Sequence, residues 1–444
     1  MDPSCFSLFF FWTIYFHLDV RTARAENEVL KAKVKRLEER CHLLTVENEG
    51  LKIEVEGYRK EAALPSFSKL ALGQSASMDS MDIMQDDRGD DDPFVKSGNG
   101  IYASHCDVTL DQLHGMANPS CCSLSVDDSI LITGGADRTI TFCQWGLAMK
   151  EGSKTEDEVV NQAVRVPCSA PVICTDFARK NMRPPFVVGG CMDGSVVLIQ
   201  YDTSHAGLQA KIIPSTIKHS KYVKQVAWSP TDNIFASASA DGTVQVHKVL
   251  WNGMDDDIKV EKVQTLNLSG AVEALCFAHD HLCCYARGTP YLSYFDLGKD
   301  FAQTKINLNQ GPGNAGFADH VSFCVLDMAC KDDKFLALAT DMSRNIVLDW
   351  ATGKQIRNLY GHTNDGFSQP KIAWSQNGQY LLGNTQQDAH VCVWDIASSS
   401  IVDTLKGHTQ PIRDMYSSSS TNSLVTTSFD KKTKIWLAPY ESNV

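Results

Sequence analysis

The sequence predicts an all-β repeat domain preceded by a parallel α-helical coiled coil, and three observations carry that prediction. Leucines recur every seven residues at Leu30, Leu37, Leu44 and Leu51, the period that winds helices into a left-handed supercoil. From residue 101 onward the chain becomes short β-branched runs punctuated by Gly, Asp, Asn and Ser, as strand-rich domains do. Within that region a His and an Asp return 22 residues apart, as His219 and Asp241 and again as His408 and Asp430, and a fixed internal spacing signals repeated units.

Composition bounds what such a chain can be. Its 444 residues are 43% hydrophobic, enough to bury a large core, and carry a formal net charge of −12. That balance argues against a surface given over to nucleic acid, where Lys and Arg concentrate. The 15 cysteines are odd in number and irregular in spacing, with no C-x-x-C pair. They read as buried free thiols acting as small hydrophobes, and a reducing, cytoplasmic compartment is the expectation.

Residues 1–25 hold an apolar run at 6–16, too short to span a bilayer, for which about 20 residues are needed. Its length suits a signal-peptide core, yet Asp2 stands where a positive region belongs. A cleaved signal, a membrane anchor and a misassigned start all remain open readings of this segment.

Residues 26–61 form the expected zipper. With the leucines at d, Asn48 falls at a central a position, where its amide pairs with its counterpart across a two-stranded seam. In a parallel dimer the facing g and e positions are Glu26–Lys31, Lys33–Glu38, Arg40–Thr45, Glu47–Lys52 and Glu54–Arg59. Four of these five are opposite in sign, so they select partner and orientation although each contributes only about 0.3–0.5 kcal/mol. The dimerisation residues are therefore Leu30, Leu37, Leu44, Asn48 and Leu51. No dense basic run precedes them, so a DNA-reading zipper is not expected.

Residues 62–100 read as an acidic tether. Seven Asp and one Arg lie within 79–92, contributing −6 of the −12, and such a segment has little to bury. Asp92-Pro93-Phe94 follows. It is weighed as a short adaptor-binding motif and, more plainly, as the start of the folded domain that occupies 101–444.

That domain divides into seven units. The residues that carry its resemblance to a known family are Gly361-His362 and Gly407-His408 at unit starts, Trp394-Asp395 at a unit end, and the turn aspartates Asp137, Asp193, Asp241, Asp388 and Asp430. The domain resembles the WD-repeat family, which implies a seven-bladed WD-repeat β-propeller. The units are read at about 120–146, 168–202, 219–247, 271–297, 320–350, 361–395 and 408–436. Residues 101–113 repeat the outer-strand ending before His408 and are expected to supply the last strand of the seventh blade.

The resemblance also implies that a His, a turn Asp, a Ser or Thr of the second strand and a Trp form a hydrogen-bonded set inside a blade. Unit seven offers His408, Asp430, Ser428 and Trp436; unit three offers His219, Asp241 and Ser239, with His247 at the Trp position; unit six offers Asp388 and Trp394. These are read as structural.

No phosphate-binding loop, zincin motif or nucleophile elbow is present, so no catalytic residue, cofactor or metal ligand is assigned. The resemblance implies a non-catalytic scaffold that binds protein partners on one propeller face, with Tyr222, Lys224, Arg413 and Phe429 as candidate contacts. Dimerisation would join two such faces on tethers. The alternatives are a membrane-associated trafficking or autophagy-type adaptor using residues 6–16, and an enzyme with converging carboxylates in the propeller funnel.

Overall fold

A computed structural model describes residue 94 and residues 106–437, apart from 146–154, 180–184, 204–206, 232, 252–257, 310–319, 365–368, 387, 419 and 422. The apolar segment at 1–25, the zipper with Leu30, Leu37, Leu44, Asn48 and Leu51, and all of the tether except Phe94 lie outside the described residues.

The first strand among the described residues is β1 (Val108–Asp111). Blade one follows as β2 (Pro119–Leu124), β3 (Ile130–Gly135), β4 (Thr139–Gln144) and, after a short helix α1 (Glu156–Asn161), β5 (Val164–Pro167). Blade two is β6 (Val172–Phe177), β7 (Phe186–Cys191), β8 (Val196–Asp202) and β9 (Gln209–Ile213). Blade three is β10 (Val223–Trp228), β11 (Ile234–Ser239), β12 (Thr243–Trp251) and β13 (Ile258–Asn267). Blade four is β14 (Val272–Ala278), β15 (His281–Ala286), β16 (Tyr291–Asp296) and β17 (Ala302–Asn307). Blade five is β18 (Val325–Lys331), β19 (Phe335–Thr340), β20 (Asn345–Asp349) and β21 (Gln355–Leu359). Blade six is β22 (Ile372–Trp374), β23 (Tyr380–Asn384), β24 (Val391–Asp395) and β25 (Ser400–Leu405). Blade seven is β26 (Ile412–Ser417), β27 (Ser423–Ser428), β28 (Lys432–Leu437) and, outermost, β1.

Each blade is an antiparallel meander, and the first strand of each packs on the first strand of the next around a ring. The ring closes because β1 pairs with β28, Leu110 opposite Thr433, so a strand from the start of the domain covers the edge that the last blade would expose. Helix α1 packs beside β1, where Glu156 Oε1 accepts the Thr109 N–H at 2.8 Å. Thr155 starts α1 through a reciprocal capping box with Glu158.

The core lies between blades. Second strands bury nearly every residue, as in β7 (FVVGGC) and β19 (FLALAT). Outer strands do not: β17 (AQTKIN) is exposed along its first four residues. That explains why the units read from sequence stop short. Unit four was bounded at 297 and unit six at 395, yet each gains a fourth strand beyond that bound. An outer strand with one solvated face carries too little apolar pattern to be read as a strand.

Inside blade seven, His408 Nδ1 meets Asp430 Oδ2 at 2.8 Å and His408 Nε2 meets Thr426 Oγ1 at 2.8 Å, while Trp436 Nε1 donates to the same Thr426 oxygen at 3.0 Å. The hydroxyl partner is thus Thr426, in place of the expected Ser428, whose Oγ donates to the Gln410 carbonyl at 2.7 Å. Blade three repeats the correction: His219 Nε2 meets Ser237 Oγ at 2.9 Å, and Ser239 Oγ donates to backbone carbonyls of Lys221 and Tyr222. Burial opposes ionisation of Asp241, but donors from Thr243 and the Ser220 N–H outweigh it and bring the carboxyl down to about 2.

Blade one contains a set that sequence reading did not assemble. His114 Nδ1 meets Asp137 Oδ1 and His114 Nε2 meets Thr133 Oγ1, both at 2.9 Å. Its spacing is 23 residues, one more than the repeat.

Blade six departs from the expected pattern. Asp388 is exposed and does not reach His362, whose two ring nitrogens have no hydrogen-bond partner. Registering Leu381 against Trp394 and Leu424 against Trp436 shows the cause: the turn of blade six is one residue longer, and Gly383 replaces Thr426. Trp394 remains, its Nε1 donating to the Tyr360 carbonyl at 2.8 Å and its ring edge-on to His362.

These two imidazoles set an acid limit. Burial lowers His362 to about 4, and burial assisted by Lys262 and His219 lowers His247 to about 4. The unfolded chain, with histidines near 6.5, takes up protons first. Stability from both sites is therefore complete above pH 6.5 and lost as pH falls towards 4, by up to about 3 kcal/mol per site. Depressed carboxylates such as Asp241 act only below about 3.8. Urea unfolding midpoints should fall between pH 7 and 5, and His362→Leu should flatten that slope. A parallel fall in both proteins would contradict this assignment.

Candidate functional site

Two polar or mixed surfaces arise from the same repeat: the channel lined by first strands, and the rim formed by the loops before first strands and between second and third strands.

A first strand has one edge with no strand neighbour, and its inward N–H groups need acceptors. A bulge after the opening residue, as between Val325 and Asp327 or Ile412 and Asp414, aims the following side chain at the next blade. Asp414 Oδ2 accepts the Cys122 N–H at 3.0 Å, Asp327 Oδ2 the Ile372 N–H at 3.0 Å, and Gln225 Oε1 the Leu275 N–H at 2.9 Å. Each contact joins one blade to its successor. Asp176 does the same from deeper in β6, accepting the Trp228 N–H at 2.9 Å.

Lys371 holds the equivalent place in blade six. Its Nζ lies 3.3 Å from Asp414 and 3.9 Å from Asp327, between two neighbouring carboxylates. Burial disfavours its charge, but the two aspartates outweigh that and hold it well above the ordinary lysine range. Asp327 is pushed up by burial against the opposing effect of Lys371. Gln225 Nε2 also donates across the channel to Asp327 Oδ1 at 3.1 Å. Arg179 pairs with Asp176 at 3.0 Å and donates to the Tyr416 hydroxyl.

These groups border a channel cavity of about 530 Å³. Carboxylates do converge there, the arrangement that sequence reading named as the mark of an enzyme. Each, however, is tied to the backbone N–H of a neighbouring strand and to a cation or amide. Among the described residues, no group of three or more His, Cys, Asp or Glu has the arrangement to hold a metal ion.

The rim carries the residues chosen from sequence, with differing exposure. Phe429 is 39% and Tyr222 37% exposed. The Arg413 guanidinium lies over the Phe429 ring at 4.7 Å and makes no ion pair among the described residues. Lys224 is placed otherwise than expected. Its Nζ is 2.8 Å from Glu273 Oε2 in blade four, and Arg287 Nε holds the other oxygen of that carboxylate at 2.7 Å. Lys224 also lies 5.3 Å from the Tyr222 ring centroid. Its charge is therefore matched within the protein.

Sequence reading missed three methionines on the same rim: Met116 before β2, Met192 between β7 and β8, and Met342 between β19 and β20, exposed by 76%, 57% and 50%. Met192 directly precedes the turn residue Asp193 as Phe429 precedes Asp430, and that shared position is the signal by which it could have been found. The rim thus presents flexible thioethers, three exposed aromatic rings (Tyr222, Tyr360 and Phe429) and a guanidinium in no ion pair among the described residues, a mixture suited to protein surfaces.

The sequence pattern of the WD40 family, described as WD domain, G-beta repeat, matches residues 108–142, 211–248, 353–395 and 399–436. These matches fall in blades one, three, six and seven together with the strands that precede or complete them.

Proposed function

Because the chain belongs to the WD-repeat family, whose propellers are generally protein-interaction scaffolds, we propose that it is a non-catalytic scaffold that binds a partner on the rim bearing Tyr222, Arg413, Phe429 and the three methionines. The observation that carries this reading is the gathering of Met116, Met192, Met342, Tyr222 and Phe429, all exposed, on loops at one end of the channel. Arg413, in no ion pair among the described residues although Asp414 acts on it at longer range, supplies an anchor for an acidic group on the partner. The channel carboxylates support the non-catalytic part, because their oxygens serve blade-to-blade hydrogen bonds.

Dimerisation through residues 26–61 belongs to the same proposal and is supported by the leucine repeat and the signs of its g and e pairs. Two rims on one dimer gain avidity for a partner offering two epitopes. A reducing cytoplasmic location is part of the same proposal, supported by nine of the thirteen described cysteines being buried free thiols.

Affinity capture tests the rim. Partners retained by the full chain should be retained at least tenfold less by a variant carrying Arg413→Glu and Phe429→Ala, since losing two anchors removes about 2–4 kcal/mol. An outer-strand variant, Val402→Ala, should retain them. Equal retention by all three proteins would refute the rim assignment. Sedimentation of the full chain should give a dimer that Leu37→Glu with Leu44→Glu converts to a monomer; a monomeric wild-type chain at micromolar concentration would refute the zipper.

A further inference from the structure

Phe94 is set apart from every blade strand in sequence, yet it completes the core between blades five and six. Its ring packs on Phe335 with centroids 4.6 Å apart, and the Arg357 guanidinium lies 5.7 Å from its centre. Around it the interblade cluster contains Trp374, Trp394 and Ile396. Phe335 begins β19, Trp374 ends β22 and Ile396 follows β24, so the slot opens at the end of the channel opposite the rim.

We propose that this slot is an intramolecular docking site for an acidic-aromatic segment, and that its occupant is the chain's own sequence ending in Phe94. Two features of the slot match two features of the segment. The apolar walls take the ring, while the border carries cations: Arg357 against the ring face, and exposed Lys334, which lies over Phe335 at 5.1 Å and makes no ion pair among the described residues. The segment supplies Asp90, Asp91 and Asp92 immediately before Pro93-Phe94. Of the other nearby charges, Lys331 is already paired with Asp332 at 3.2 Å, and Asp333 Oδ1 accepts the His279 N–H. Arg357 is itself held in place, donating to the carbonyls of Ile396 at 3.0 Å and Ile356 at 2.9 Å. A fixed guanidinium and a rigid aromatic wall form a pre-organised receptor that loses little freedom on binding.

A labelled synthetic peptide covering residues 88–98 tests the receptor in trans. The full chain carrying Phe94→Ala, its slot vacated, should bind the peptide at least tenfold more tightly than the wild-type chain does. A peptide with alanine at the Phe94 position should bind that variant at least tenfold more weakly. In an independent arm, excess unlabelled peptide should accelerate tryptic cleavage of the wild-type chain at Lys96 by displacing the native segment. The proposal is overturned by absence of saturable binding to the Phe94→Ala chain, by equal binding to both chains, by indifference to the phenylalanine, or by cleavage that excess peptide leaves unchanged.

Discussion

Lys371→Met should destabilise the propeller by roughly 3–5 kcal/mol, the usual effect of removing one partner from a buried ionic set. Lys371 is the cation between Asp327 and Asp414, and both carboxylates must stay in place because each accepts a backbone N–H of the next blade. Without the ammonium, two negative charges would face each other in a channel that already pushes Asp327 upward by burial. Neutralisation then becomes the easier outcome. A carboxyl whose folded pKa is raised above its unfolded value stabilises the fold below the unfolded value, and that contribution is lost as pH rises through the folded one. The deficit of the variant relative to wild type should accordingly be largest near pH 8 and shrink towards pH 5. Urea unfolding at the two pH values measures it. An equal deficit at both would mean that Lys371 acts through packing alone.

The second large effect is expected at the closure of the ring. Leu110→Ala should cost about 2–5 kcal/mol, the range for truncating a fully buried leucine. Leu110 is 0% exposed and packs with Leu113, Val425 and Ile435, so the cavity opens at the seam where the start of the domain meets its end. Loosening β1 would also uncover β28 as an unpaired edge, so the variant should self-associate below the temperature at which wild type unfolds. On the same strand, Asp111→Ala should cost less than about 0.5 kcal/mol, since Asp111 is exposed and only 3.8 Å from Lys432 in a solvated pair. Similar losses in the two variants would show that the strand does not close the ring by its buried face.

How far the sequence could be read depends on the distance over which each feature is encoded. Blades three and seven were legible because His and turn Asp fall within one repeat at a fixed spacing. The closing strand was legible because residues 101–113 repeat the outer-strand ending before His408. The resemblance points to Ser428 where the structure has Thr426; the two lie on the same face of β27, two residues apart, and alternation defines that face without defining the depth along it. Asp388 was misread because a turn longer by one residue shifts it out of reach of His362, and no motif records that length. The channel set was illegible for another reason. Asp176, Gln225, Asp327, Lys371 and Asp414 come from five blades, and nothing in their local sequence says that they face one axis. Once the bulge positions are registered, four of them share one repeat position, and a search for polar residues there would have found them.

Engagement of partners by the rim is tested most directly by hydrogen–deuterium exchange of the full chain, alone and saturated with a partner isolated by affinity capture. Slowed exchange is expected in the loops containing Met116, Met192, Tyr222, Met342, Arg413 and Phe429, with the outer strands β9, β13 and β25 unchanged. Protection confined to those outer strands or to the opposite end of the channel, with the rim unaltered, would contradict it.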